Sequence, residues 1–265
     1  MIDLHSHILY GLDDGVQDQA TMLTMFRLAQ EEGIKVMVAT PHYIYGANTY
    51  NKEGLQKRYQ EAKGLLAEQR IDIQLYLGQE LYLDTFLLTQ LKLGQALTLA
   101  ETRYILVEFP TLEIPPYTLG LMDGFFEAGY RPVIAHPERY TGVQRDMMQL
   151  LPYIEKGCLL QVNTGSFLGL HGKEAQRTAL TLLRHEMVHL VATDCHSMGR
   201  RRPEYKEAYA RVAAHSSAQM AEKLFVEMPQ QLLANEIVEP WSPILAPSKK
   251  SFLLRLKTAF SAGYV

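Results

Sequence analysis

The sequence predicts one α/β domain in which parallel strands, each followed by a helix, close into a barrel. Two observations carry that expectation. Seven short apolar, β-branched runs alternate with longer segments of helical period, and near-continuous apolar runs bounded by turn residues suit strands buried on both faces. No Pro-, Gly- or Ser-rich linker, internal repeat or low-complexity stretch interrupts the alternation, so it reads as a single barrel-like unit and not as two domains. The length of 265 residues and the 47% apolar, 21% charged composition allow one such domain and exclude a mainly disordered chain.

The strand runs are expected to end at 3–5, 36–40, 75–78, 105–108, 133–136, 160–163 and 190–194. Helices are expected between them. In the first, 17–32, Met22, Phe26 and Ala29 keep one face by 4,3 spacing and Gly33 supplies a stop. The stretches 52–69, 118–128, 145–156, 172–186 and 203–214 read the same way. Residues 1–243 therefore form the expected domain. After Glu239 no acidic residue follows, and Lys249, Lys250, Arg255 and Lys257 interleave with Phe252, Leu253, Leu254, Leu256 and Phe260. Residues 244–265 read as an appended amphipathic basic tail: either a terminal helix or disordered end, or a weak contact surface for anionic lipid or a partner protein.

Charge and cysteine content narrow the function classes. Lys and Arg number 26 against 29 Asp and Glu, a formal charge of -3. A nucleic-acid-coating role needs a basic excess, so no nucleic-acid partner is expected. Cys158 and Cys195 are the only cysteines, too few for a disulfide framework or a Cys-rich zinc module. The start Met1-Ile2-Asp3-Leu4-His5 lacks a basic and then apolar signal region, and no apolar run reaches membrane-spanning length. The expected address is the cytoplasm.

The chemistry-bearing residues gather at the strand ends. His5 and His7 close the first strand, and Asp14 lies in the following turn Leu12-Asp13-Asp14-Gly15. His42 follows the second strand in Thr40-Pro41-His42; Glu80, Glu108 and His136 close the third, fourth and fifth, and Asp194 and His196 the seventh. In parallel α/β barrels this rim is where active sites are assembled. One His or Glu after a strand is ordinarily a loop residue with a satisfied hydrogen bond. Nine on one rim would suffer several kcal/mol of desolvation and like-charge repulsion without a cation. Imidazole and carboxylate without thiolate suit manganese, iron or zinc, with magnesium also admissible. The donors exceed one tetrahedral site and a carboxylate such as Glu80 can bridge, so at least two ions, and three on the fuller count, are expected. Ions about 3.5–4 Å apart are a common arrangement for phosphoester hydrolysis. Arg139, in His136-Pro137-Glu138-Arg139, and the Arg200-Arg201-Arg202 run after His196 are candidates to clamp phosphate oxygens.

Cys195 and Arg201 also match the C-x5-R spacing of thiolate phosphatases, but Cys195 stands between two candidate metal donors and the loop holds only Gly199. A thiolate mechanism is therefore disfavoured. His171, His185, His189 and His215 receive no role.

Taken together, His5-Ser6-His7, Thr40-Pro41-His42, Gly78-Gln79-Glu80, Val107-Glu108-Phe109-Pro110, Ala135-His136-Pro137-Glu138-Arg139 and Thr193-Asp194-Cys195-His196 resemble the PHP (polymerase and histidinol phosphatase) superfamily. More narrowly, the Leu12–Gly15 turn and the 135–139 segment resemble its bacterial tyrosine-protein phosphatases of capsular and exopolysaccharide biosynthesis. The resemblance spans about residues 1–240. It implies a distorted (β/α)7 TIM-like barrel with three ions, typically manganese. By matching motif positions, one ion would take His5, His7, Glu80 and Asp194, a second Asp14, His42 and His196, and the third Glu80, Glu108 and His136, with Arg139 and Arg201 binding phosphate. The implied activity is hydrolysis of phosphotyrosine on a protein, by resemblance the tyrosine-rich tail of a bacterial tyrosine kinase. A small-molecule phosphoesterase of the histidinol-phosphatase type and a non-catalytic binding module of the polysaccharide assembly complex are the alternatives.

Overall fold

The computed structural model describes residues 1–48, 50–109 and 113–244. Among the described residues there are nine strands, with helices between all but the pairs β2–β3 and β4–β5: β1 (Ile2–Ser6), β2 (Val36–Ala39), β3 (His42–Tyr43), β4 (Gln74–Leu77), β5 (Glu80–Tyr82), β6 (Tyr104–Glu108), β7 (Arg131–Ala135), β8 (Leu159–Asn163) and β9 (Leu190–Ala192). Every strand pairing is parallel, in two sheets ordered β1-β2-β4 and β3-β5-β6-β7-β8-β9.

All seven expected runs become strands, and two of them, 36–40 and 75–78, lead past a bend into the further short strands β3 and β5, which lie beyond the expected runs. The run over 36–43 breaks at Thr40-Pro41, where Pro41 has no N–H to give a ladder. The run over 74–82 breaks at Gly78, whose missing Cβ leaves room for Leu99 Cα, 3.1 Å from where a Cβ would stand. Hydrogen bonds continue across both bends, from Gly78 N–H to Ala39 O at 2.8 Å and from Glu80 N–H to Pro41 O at 3.2 Å. At the other margin a Ser6–Cys195 bridge, with His7 N–H donating to Cys195 O at 2.9 Å, joins β1 to the end of β9.

Helices Gln19–Glu31, Lys52–Glu68, Thr118–Glu127, Lys173–Arg184 and Lys206–His215 lie where the period places them. Asp18 and Asn51 cap the first two by accepting from Thr21 N–H and Gly54 N–H. The expected helix over 145–156 is corrected. A short helix Thr141–Arg145 stops at Asp146, whose carboxylate caps a 3-10 turn Met147–Leu150, and a new helix Leu151–Glu155 begins with Pro152 in its first turn. Helical segments over Leu87–Lys92, Ala218–Glu222 and Met228–Leu233 were not anticipated. The last two are joined through a wide π turn, Lys223–Glu227, next to Pro229.

Alternation along the strands explains why chemistry collects at one end. Met37, Ala39, Ile105, Val107, Ile134, Leu160 and Val191 face outward to a core completed by helix residues such as Met22, Phe26, Met122, Phe125 and Leu182. Leu4, Val38, Tyr104, Leu106, Val133, Leu159 and Leu190 form an inner cluster, covered by Met228, Leu232 and Val238. With period two, Val38 leads to Thr40 and His42, Leu106 to Glu108, and Leu159 to Gln161 and Asn163. The inner face thus passes from apolar to polar toward the C-terminal strand ends. From residue 245 on, the expected basic tail lies outside the described residues. Among the described residues no helix is long and apolar enough to cross a membrane.

Candidate metal centre

The structure brings all nine expected donors together at that rim. His5, His7, Glu80 and Asp194 offer donor atoms within 4.8 Å of one another, as do His7, Asp14, His42 and His196, and His42, Glu80 and Glu108. His136 joins through Nε2, 2.8 Å from Glu80 Oε1 and 3.8 Å from Glu108 Oε1. His5, Glu80, His136 and Asp194 form a buried floor. Asp14, with 61% of its side chain exposed, and His42 open the cluster to solvent. His136 and Asp194 both sit in the left-handed region, at φ 32° and 52°. That backbone is uncommon outside glycine, and here it turns each side chain off its strand into the cluster.

Hydrogen bonds outside the cluster decide which ring nitrogens point in. Asp13 Oδ2 lies 2.6 Å from His7 Nδ1 and also accepts from His42 N–H at 3.0 Å. A carboxylate only accepts, so Nδ1 of His7 carries a proton and, in the neutral ring, Nε2 presents a lone pair. The same logic applies to His5, whose Nδ1 donates to Gln161 Oε1 at 2.9 Å, and to His196, whose Nδ1 donates to Asp194 O at 2.9 Å. In the neutral rings, the Nε2 atoms of His5 and His7 face each other at 3.2 Å as two acceptors. Glu80 Oε2 stands 3.3 and 3.0 Å from them. His42 Nδ1, Glu80 Oε2 and His196 Nε2 are buried without a hydrogen-bond partner among the described residues. Buried acceptors converging on acceptors require protons or a cation. The donor set and its oriented imidazoles fit divalent ions held by nitrogen and oxygen.

The titration behaviour agrees. Burial alone would neutralise His7, but Asp13 and Glu80 outweigh it and raise the imidazole to about 10. Burial and the neighbouring Glu80 carboxylate push Glu108 up to about 7. Against the same burial, His5, Arg201 and His196 hold Asp194 well below the usual carboxylate range. Burial and His7 lower His196 to about 4.

Both candidate arginines reach the cluster. Arg139 Nη1 donates to Asp194 Oδ2 at 2.9 Å and Arg201 Nη2 to Asp194 Oδ1 at 2.7 Å. Within the Arg200–Arg202 run only Arg201 does this, since Arg202 pairs with Glu204 and Arg200 is exposed. Arg201 Nε is buried and has no partner among the described residues. Arg139 is aimed by its neighbour: buried Glu138 accepts from Asn163 N–H at 3.0 Å and from Ser166 Oγ at 2.6 Å, pinning the turn that carries both residues. The thiolate alternative fails. Cys195 is fully buried, and burial raises its thiol far above the ordinary value.

Three residues of the site had no role in the sequence-based expectation. Asp13 orients His7. The side-chain amides of Gln161 and Asn163 carry a chain of hydrogen bonds from His5 to Asp194, with Gln161 Nε2 donating to Asn163 Oδ1 at 2.9 Å and Asn163 Nδ2 to Asp194 Oδ2 at 2.7 Å. The signal for the last two was present: they are polar residues at alternating positions of an otherwise apolar run, Leu159-Leu160-Gln161-Val162-Asn163.

Known proteins resemble this chain in sequence and fold. Residues 1–234 match the family described as capsular polysaccharide synthesis, CpsB/CapC. The tyrosine-protein phosphatase YwqE of Bacillus subtilis is 32% identical over 246 residues, 92% of this chain and 96% of its own. The tyrosine-protein phosphatase CpsB of Streptococcus pneumoniae is 27% identical over 90% of this chain and all of its own. A crystal structure from work on those two proteins, described as metal-dependent tyrosine phosphatases, superposes with a TM-score of 0.88 at 31% identity, covering 93% of this chain and 100% of that one. The chain belongs to the CpsB/CapC family of capsular polysaccharide synthesis.

Proposed function

We propose that this chain is a metal-dependent protein-tyrosine phosphatase, a phosphoric monoester hydrolase of capsular polysaccharide synthesis. The observation that carries the reading is the convergence of nine imidazoles and carboxylates whose inward atoms are nearly all acceptors. In the proposed assignment one cation takes His5, His7, Glu80 and Asp194, a second takes Asp14, His42 and His196, and a third shares Glu80 and adds Glu108 and His136. Manganese is the proposed ion, with iron, zinc or magnesium as alternatives that the same donors would accept. The two sheets are read as one distorted seven-stranded barrel, β2 with β3 and β4 with β5 each acting as a single bent strand and the Ser6–Cys195 bridge bringing the ends together.

Bound ions would supply Lewis-acid polarisation of the phosphoryl oxygens and of the attacking water. The chain's own residues do the rest. Asp13 and Gln161 fix two imidazoles in the donating tautomer. Arg139 and Arg201 present guanidinium groups at the same rim, where their paired N–H groups match two phosphoryl oxygens and the charge that develops there. A phenolate leaving group, whose conjugate acid has a pKa of about 10, departs with less proton assistance than a serine alkoxide. No dedicated acid is therefore required of the protein. The proposed substrate is phosphotyrosine on a bacterial tyrosine kinase, and the two free buried thiols of Cys158 and Cys195 suit a reducing cytoplasm.

The test is to strip the metals, add back manganese, magnesium and zinc singly, and compare rates on a phosphotyrosine peptide and on histidinol phosphate. The expected result is activity restored most fully by manganese and greater on the peptide. Undiminished turnover in chelator, or a strong preference for histidinol phosphate, would overturn the reading.

A further inference from the structure

Two loops that leave the metal-capable cluster each end in an exposed aromatic ring. Tyr45 follows His42 by three residues and is 47% exposed; Phe86 follows Glu80 by six and is 55% exposed. Their rings lie against each other with centroids 5.1 Å apart. Ile44, itself 37% exposed, extends the apolar surface. Neither loop is loose. Ile44 N–H donates to Asn48 Oδ1 at 2.6 Å, and Ala47 N–H closes a turn onto Ile44 O at 3.0 Å. Phe86 N–H donates to Asp84 Oδ1 at 2.7 Å, which fixes the chain as it enters the helix Leu87–Lys92. Local hydrogen bonds thus hold two large rings at the surface, where about half of each residue faces water.

Their place on the rim says what covers them. Three residues of chain span at most about 11 Å, so Tyr45 lies beside His42 and the donors. The candidate phosphate-binding arginines follow β7 and β9, whereas Tyr45 and Phe86 follow β3 and β5. A phosphotyrosine with its phosphorus at the donors brings its neighbouring residues over this rim, and the Tyr45–Phe86 side is where an apolar one gains contact. We propose that Tyr45 and Phe86 form a specificity surface that docks an apolar or aromatic side chain flanking the phosphotyrosine of the substrate. This inference rests on the tyrosine-phosphatase reading.

The test uses the manganese-loaded full chain, the variants Tyr45→Ala, Phe86→Ala and their double, and three substrates: p-nitrophenyl phosphate, a phosphotyrosine peptide flanked by Leu and Tyr, and one flanked by Gly and Ser. The wild type is expected to favour the apolar-flanked peptide by about ten-fold in kcat/KM, carried by KM. The double variant is expected to cleave both peptides alike and to keep p-nitrophenyl phosphate turnover within about two-fold of wild type, because surface substitutions of this kind leave the fold intact. A wild type that cleaves both peptides equally, or a double variant that keeps the preference, would overturn the inference and leave the phosphatase reading standing. Dissociation of a dimer by Phe86→Ala with the preference unchanged would assign the surface to a second copy of the chain instead. Failure of the wild type to cleave either peptide would overturn the phosphatase reading, and this inference with it.

Discussion

At the scale of single residues, Asp194 is the point where the metal-capable donors and the phosphate-binding candidates meet. It faces His5 Nε2 at 3.5 Å and takes Arg139, Arg201 and Asn163 on its two oxygens. Each arginine is therefore held at the rim before any phosphate arrives, which reduces the ordering that substrate binding would otherwise require. Arg139→Ala and Arg201→Ala should each lower kcat on a phosphotyrosine peptide by about 100- to 1,000-fold, the range found when one donor to a developing oxyanion is removed. Lys at either place should rescue only in part, because an ammonium cannot make the paired contact. Steady-state kinetics at saturating manganese would check this, and an unchanged kcat in either alanine variant would remove that arginine from the site. The nine donors were legible because each follows a strand. Asp13 was not, because of two adjacent aspartates in a turn the sequence does not say which faces the cluster and which braces a ligand from behind.

At the scale of elements, the strands were readable and the connections less so. Apolar runs bounded by turns identify a doubly buried strand without ambiguity here, yet the bends at Pro41 and Gly78 depend on what the chain meets in three dimensions. The expected helix over 145–156 failed because the apolar period across Val143, Leu150 and Ile154 persists through a cap at Asp146 and a restart at Pro152. The turn after β1 shows how closely one connection is fitted. A Cβ on Gly15 would lie 2.3 Å from His7 O and 2.6 Å from His7 Cβ, and no rotamer relieves a clash with backbone. Gly15→Ala must displace the turn that carries Asp13 and Asp14. The manganese concentration for half-maximal activity should rise about 10- to 100-fold, the usual effect of losing a group that orients a ligand. Gly64, inside the helix Lys52–Glu68, provides the control: nothing lies within 4 Å of its would-be Cβ. Gly64→Ala should stabilise the chain by about 0.5–1 kcal/mol in urea titration and leave the manganese response alone.

At the scale of the whole molecule, the two ends of the inner space have opposite characters, and acid should find a weak point far from the metal-capable rim. His189 is fully buried, accepts Leu160 N–H on Nδ1 at 3.1 Å, and packs its ring 4.7 Å from that of Trp241. Its Nε2 has no partner among the described residues. Burial, reinforced by Lys223, lowers its pKa to about 3. The unfolded chain binds a proton at this residue below pH about 6.5, whereas the folded chain does so only below about 3. Stability from the neutral ring is therefore complete above pH 6.5 and is lost steadily as pH falls from there toward 3. Between pH 7.5 and 4.5 this one residue should remove about 2.5 kcal/mol. His189→Gln keeps an acceptor for Leu160 but cannot titrate. It should start less stable at pH 7.5, by about 1–3 kcal/mol for altered packing and hydrogen bonding, and then lose less than wild type on acidification. Urea unfolding of both proteins in chelator at the two pH values isolates the effect, because the site imidazoles titrate alike in each. Parallel losses would show that the acid response resides in the metal-capable cluster and not beneath Trp241.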